Sequence, residues 1–183
     1  MINPVRPDEY EYYPPLEWIT SMFECGGKVN QGVTYKSWFE AMGIRHVSVD
    51  FDPRWADFTD DLRHPLWDKH GTFDCVADIG TAEHVDGQAG FWENIHNLTK
   101  VGGYYVGQHP APNSDSWWWH GNHYPTEEFY ESFCELNGWQ IEKMGRGLAP
   151  PNENLYVLMR RVKDKPFTMP DESLIYFNRM RRR

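Results

Sequence analysis

Phe73-Asp74-Cys75-Val76-Ala77-Asp78-Ile79, continued by Gly80-Thr81-Ala82-Glu83-His84-Val85, is the stretch on which the fold turns. Its first seven residues form a largely apolar run of strand length that ends at a glycine. Gln88 to Leu98 then carries apolar residues at helical spacing. Val101-Gly102-Gly103 returns the chain to a second strand-like run, Tyr104 to Gln108. A strand, a helix and a strand joined by short turns make a βαβ crossover, which places the two strands parallel.

Working toward the N-terminus, His46 to Phe51 alternates and stops at Asp52-Pro53, as a strand entering a loop does. Thr34 to Met42 spaces Tyr35, Trp38, Phe39 and Met42 along one helix face, with Gly43 at its C-cap. Trp18 to Cys25 reads as a short helix feeding a strand that ends at Gly26-Gly27. Toward the C-terminus, Thr126 N-caps a helix running to Asn137-Gly138, and Trp139–Met144 and Leu155–Arg161 are two late strands. The expected fold is one three-layer α/β domain, with a mostly parallel sheet and an antiparallel edge strand, over residues 16–162. Residues 1–15 and 163–183 read as arms, the second basic, through which copies of the chain would associate.

At 183 residues the chain has the length of one domain, and its 40% hydrophobic content suffices for a core covered on both faces. The formal charge of −9 repels phosphate backbones and argues against a nucleic-acid partner. Cys25, Cys75 and Cys134 stand far apart, giving neither a zinc motif nor an even disulfide framework. The polar first 15 residues do not resemble a signal peptide, and no 18-residue apolar run follows. A cytoplasmic protein without membrane contact is expected.

In an open α/β sheet ligands sit beyond the carboxyl ends of the strands. Glu24-Cys25-Gly26-Gly27 finishes the first strand with an acidic residue and two glycines, which let a backbone approach a charged ligand. Asp50 finishes the second strand, 23 residues beyond Gly27, where a carboxylate can bond a ribose diol.

Phe73-Asp74-Cys75-Val76, Gly80-Thr81-Ala82-Glu83-His84-Val85 and Asn97-Leu98-Thr99-Lys100-Val101-Gly102-Gly103 are similar, in order and spacing, to the "FDxV", "xxxEHV" and "LKPGG" segments of class I, Rossmann-like S-adenosylmethionine-dependent methyltransferases. The resemblance covers about residues 20 to 160. It implies that Glu24, Gly26 and Gly27 hold the methionine part of S-adenosylmethionine and Asp50 its ribose. It implies further that Asp61 and Leu62 flank the adenine, and that Asp78, Ile79 and Gly80 line the cofactor near its sulfonium. The chain departs from the family in lacking GxGxG: Lys28 follows Gly27, in a loop that receives a cation. Val101 replaces the usual proline.

Methyl transfer from a sulfonium asks the protein for alignment, exclusion of water and, for some acceptors, a base. The segment Gln108 to Tyr124 contains Trp117-Trp118-Trp119 and three histidines at the expected mouth of the site. His109 is the first candidate base and His120 the second. Their bland alternative is a structural, hydrogen-bonded role. No metal is expected, since His120 and His123 have no evident matching carboxylate or cysteine set. Glu83 and His84, being adjacent, are expected to point to different sides.

Two functions follow. One is S-adenosylmethionine-dependent methyl transfer to a small-molecule or sugar acceptor stacked on the tryptophans. The other is a non-catalytic binding or structural subunit that keeps the fold without cofactor chemistry, favoured by the atypical glycine loop and the arms. A Lys28 pointing into the cleft, or an aromatic filling it, would favour the second. Nicotinamide dinucleotide chemistry would require a GxGxxG that is absent.

Overall fold

The computed structural model describes residues 10–27, 35–112, 120–149 and 152–177. Strands β1 (Ser21–Cys25), β2 (Arg45–Asp50), β3 (Phe58–Thr59), β4 (Phe73–Ile79), β5 (Thr99–Pro110), β7 (Trp139–Ala149) and β8 (Asn152–Arg161) form one sheet in the order β3-β2-β1-β4-β5-β8-β7. The first five run parallel, and β8 is antiparallel to both its neighbours at the β7 edge. Helices α1 (Tyr35–Ala41), α2 (Trp67–His70), α3 (Gln88–Leu98) and α4 (Glu127–Asn137) complete the α/β architecture. β6 (His123–Pro125) pairs with β9 (Ile175–Phe177) in a separate ribbon. No helix among the described residues is long and apolar enough to cross a membrane.

Alternation along the central strands divides the core. Phe23, Cys25, Val76 and Tyr105 point to one face, against Trp92 and Ile95 of α3 and Phe129 and Phe133 of α4. Met22, Cys75, Ala77, Tyr104 and Val106 point to the other, beneath Tyr35 and Phe39 of α1. Both faces are covered, as parallel strands with apolar residues on both sides require. All three cysteines are buried, and burial pushes their thiol pKa values up, that of Cys134 to about 12. Trp92 is the hub of its face: its ring packs within 6 Å of Phe91, Tyr105, Phe129, Tyr130 and Phe133, and its Nε1–H donates to Gln88 Oε1 at 2.9 Å.

Local chemistry sets the element ends. Thr126 Oγ1 accepts from Phe129 N–H, and α4 stops at Gly138 in the left-handed conformation, as its sequence dictates. Arg161 donates to the His96 and Thr99 carbonyls where α3 ends, neutralising the negative end of that helix. At the amino edge of the sheet Asp74 accepts from Thr20, Ser21 and Lys100, which hold its carboxyl well below the usual range.

The structure differs from expectation before β1, where a 3₁₀ turn, Leu16–Trp18, replaces part of the expected helix and the strand begins only at Ser21. The segments read as arms lie on the domain as far as they are described. Tyr12 stacks on Tyr156 at 5.1 Å, while Phe167, Met169 and Leu174 pack against the core and Ile175 joins it. The terminal arginines and residues 1–9 lie outside the described residues.

Asp78 governs the turn after β4. It is wholly buried; its Oδ1 accepts from Thr81 and Ala82 N–H at 3.0 and 3.1 Å, and Oδ2 from the Tyr105 hydroxyl at 3.2 Å. Burial, aided by the charge of Glu83, pushes its carboxyl pKa up to about 8 from an ordinary 3.8. Between those values the native state keeps a proton that the unfolded chain has released. Stability from this group is therefore full below about pH 4 and declines as pH rises toward 8, by at most about 1.4 kcal/mol per unit.

Two measurements check this account. Replacing Trp92 with Ala should remove about 3–5 kcal/mol of unfolding free energy in urea titration, the range for emptying an aromatic site in a packed core. Melting temperatures taken from pH 5 to 8 should fall less for Asp78→Asn than for the wild type; parallel curves would mean that Asp78 does not titrate there.

Candidate functional site

At the carboxyl ends of β1, β2 and β4 the chain encloses a cavity of about 320 Å³. β1 contributes Glu24 and is followed there by Gly26. Asp50 ends β2, and Asp60 follows β3. Ile79 ends β4, and Gly80 and Thr81 come from the turn after it. Leu62, Val85, Tyr35 and Phe51 supply apolar wall, while His84 and His120 face each other across one end, their ring centroids 4.8 Å apart.

The glycine turn is tightly constrained. Gly26 has φ +83°, and a Cβ there would stand 2.3 Å from Thr81 Oγ1, the hydroxyl of which donates to the Cys25 carbonyl. A Cβ on Gly27 would meet the Trp55 carbonyl at 2.0 Å. Gly27 N–H donates to Asp50 Oδ2 at 3.0 Å, and Asp52 N–H to Oδ1 at the same distance. Each carboxylate oxygen has a second lone pair, so Asp50 can still accept two donors from the cavity.

Glu24 lines the cavity, but its carboxylate is already paired with His46 Nε2 at 3.2 Å, and His46 is stacked under Phe39. Burial raises the pKa of Glu24 while His46 counteracts the shift. Asp61, expected beside the adenine, is not in the cavity wall, and its neighbour Asp60 is. Asp61 forms a two-toothed pair with Arg63, which holds it at a pKa of about 2, whereas Asp60 lines the cavity, paired with Lys69 at 2.6 Å. Asn94 of α3 fixes this segment, receiving Leu66 N–H and donating to the Leu62 and His64 carbonyls, all at 2.8 Å.

Of the residues expected near the sulfonium, Ile79 and Gly80 line the cavity. Asp78 does not: its carboxyl points into the core toward Tyr105. His109 is likewise absent from the cavity wall. β5 runs on to Pro110, so His109 is still a sheet residue, paired with Leu155; its ring stacks on Tyr130 and its Nε2 hydrogen-bonds the Tyr130 hydroxyl. Burial lowers its pKa. His120 does line the cavity, and its Nε2 lies 3.4 Å from Glu83 Oε1. Glu83 and His84, expected to diverge, share the 3₁₀ turn Ala82–His84, and His84 Nε2 is 3.8 Å from the same Oε1. Lys28 and Trp117 to Trp119 lie outside the described residues.

No protein-family model matches the chain, and no curated protein matches it. Solved structures do. An S-adenosylmethionine-dependent methyltransferase from Mesorhizobium loti superposes with a TM-score of 0.64 at 14% identity, covering 85% of this chain and 96% of that one. The 1,6-didemethyltoxoflavin-N1-methyltransferase of Burkholderia thailandensis, with bound 1,6-didemethyltoxoflavin and S-adenosylhomocysteine, gives 0.59 at 15% identity, over 86% and 78% of the two chains. The magnesium protoporphyrin IX methyltransferase of Synechocystis, with bound S-adenosylmethionine, gives 0.59 at 12% identity, over 76% and 69%. With its strand order and the cavity at its strand ends, the chain has the fold of the class I, Rossmann-like S-adenosylmethionine-dependent methyltransferases.

Proposed function

We propose that the protein transfers a methyl group from S-adenosylmethionine to a small-molecule acceptor. The observation that carries this reading is the charge of the cavity: Glu24, Asp50 and Asp60 line it, and no lysine or arginine does among the described residues. Such a wall favours a ligand bearing a sulfonium and an ammonium and disfavours a dinucleotide pyrophosphate. Tyr35 and Phe51 form walls and leave the cavity open, which supports a binding enzyme over a filled, non-catalytic relative.

In this reading Asp50 accepts the ribose hydroxyls with its remaining lone pairs, and Asp60 accepts from the adenine amine beside Leu62. Gly26, Gly80 and Ile79 give the ligand a close backbone and apolar surface. Bound S-adenosylmethionine supplies a methyl group activated by its positive sulfur. The chain's contribution is to hold that group against the His84–His120 end, shielded by Ile79 and Val85, where the acceptor arrives. Of the two histidines considered as a base, His120 stands at that end, and His109, stacked on Tyr130 away from the cavity wall, takes a structural part.

Calorimetric titration tests the reading. S-adenosylmethionine and S-adenosylhomocysteine should bind and NAD should not; absence of binding by the first two overturns it. Asp50→Ala should weaken S-adenosylhomocysteine by about 2–3 kcal/mol, roughly 30- to 150-fold, as expected for loss of two hydrogen bonds to a charged group that do not add fully. Asp60→Asn should weaken binding while Asp61→Asn leaves it unchanged; the reverse order would restore Asp61 as the adenine residue.

A further inference from the structure

Glu83 is 1% exposed, its Oε2 accepts no hydrogen bond, and it stands between two imidazoles at the acceptor end of the cavity. All eight histidines lie among the described residues, and Glu83 alone of the described carboxylates has two of them within 4 Å. The separations, 3.4 Å to His120 Nε2 and 3.8 Å to His84 Nε2, exceed the roughly 2.7–3.2 Å of a good N–H···O bond. They suit another arrangement. Ligand atoms placed about 2.1 Å from a shared tetrahedral ion stand roughly 3.4 Å from one another. One carboxylate oxygen and two imidazole nitrogens here all lie within 4.8 Å.

We propose that Glu83, His84 and His120 bind a divalent transition-metal ion at the acceptor end of the cavity. Two imidazoles and one carboxylate form a donor set for zinc, iron or cobalt, and three protein ligands leave further coordination positions open. His84 and His120 both line the cavity, so those positions face it. The site is pre-positioned. Asp78 and Gln88 fix the turn that carries Glu83 and His84, Gln88 Nε2 donating to the Ala82 and Val85 carbonyls. Asn122 N–H donates to the Glu83 carbonyl at 2.8 Å, tying the His120 segment to the same turn.

The use of the ion rests on the methyl-transfer reading; its binding does not. A hydroxyl acceptor coordinated there releases its proton to solvent more readily. Its oxygen lone pair then forms the O–CH3 bond while the S–CH3 bond breaks, the latter's electron pair remaining on sulfur as a neutral thioether. In this scheme His120 is a ligand, and the acceptor class is an oxygen nucleophile.

The test is Co2+ titration of the chelator-stripped full chain, followed by visible absorption, with Zn2+ competition. One equivalent per chain is expected to develop a ligand-field band that Zn2+ abolishes. Glu83→Gln, His84→Ala and His120→Ala should each weaken binding at least tenfold, while His123→Ala, paired with Asp86 outside the cluster, should not. His84 and His120 are partly exposed, so their variants should fold, as circular dichroism will show. Absence of stoichiometric binding by the wild type, or wild-type affinity in the folded His84→Ala and His120→Ala variants, overturns the site. S-adenosylhomocysteine calorimetry on the stripped protein separates the two readings. Its binding alone removes the metal and keeps the transferase, and metal binding alone does the reverse.

Discussion

The site depends on one carboxyl group sealed from water. Asp78 takes the two N–H groups that begin the turn after β4 and the hydroxyl of Tyr105 on β5, so the turn has one place to go. Thr81, set by that turn, reaches the Cys25 carbonyl and occupies the space where a side chain on Gly26 would lie. Gly27 then offers its N–H to Asp50. Three strand ends are thus joined by a relay of hydrogen bonds starting in the core, and the cavity lies along that relay. Desolvation makes an arrangement of this kind sensitive, because a buried polar group that loses a partner is costly.

Four of the acidic groups at this end of the sheet have partners of different kinds. Glu24 has His46, Asp50 has backbone N–H groups, Asp60 has Lys69, and Glu83 has two imidazoles. The partners His46 and Lys69 are not in the cavity wall, whereas Glu24, Asp50 and Asp60 are.

The features visible in the sequence are those that depend on backbone period and glycine: β4, α3, α4 with its caps, the Gly26-Gly27 turn and Asp50. Side-chain direction was less visible. Asp60 and Asp61 are neighbours with identical chemistry, and only tertiary structure shows that Asp60 lines the cavity while Asp61 pairs with Arg63. His109 stands just past the strand read as Tyr104 to Gln108, yet its pairing with Leu155, and that of Pro110 with Asn154, carries β5 through both. β3, at two residues, is too short to show any period. Residues 10–15 and 163–177 carry no regular pattern because their contacts, such as Tyr12 with Tyr156, are made across the fold rather than along the chain. His120 meets Glu83 only through tertiary structure, so no spacing motif announces the pair.

The burial of Cys25, Cys75 and Cys134 has a practical side. Thiolates react, and thiols held this far above their ordinary pKa in a packed interior do not. The native protein is in effect a thiol-free surface. A single cysteine engineered near the cavity mouth can therefore carry a fluorophore or spin label at one defined place without prior removal of the natural ones, so that its signal reports on the cavity alone.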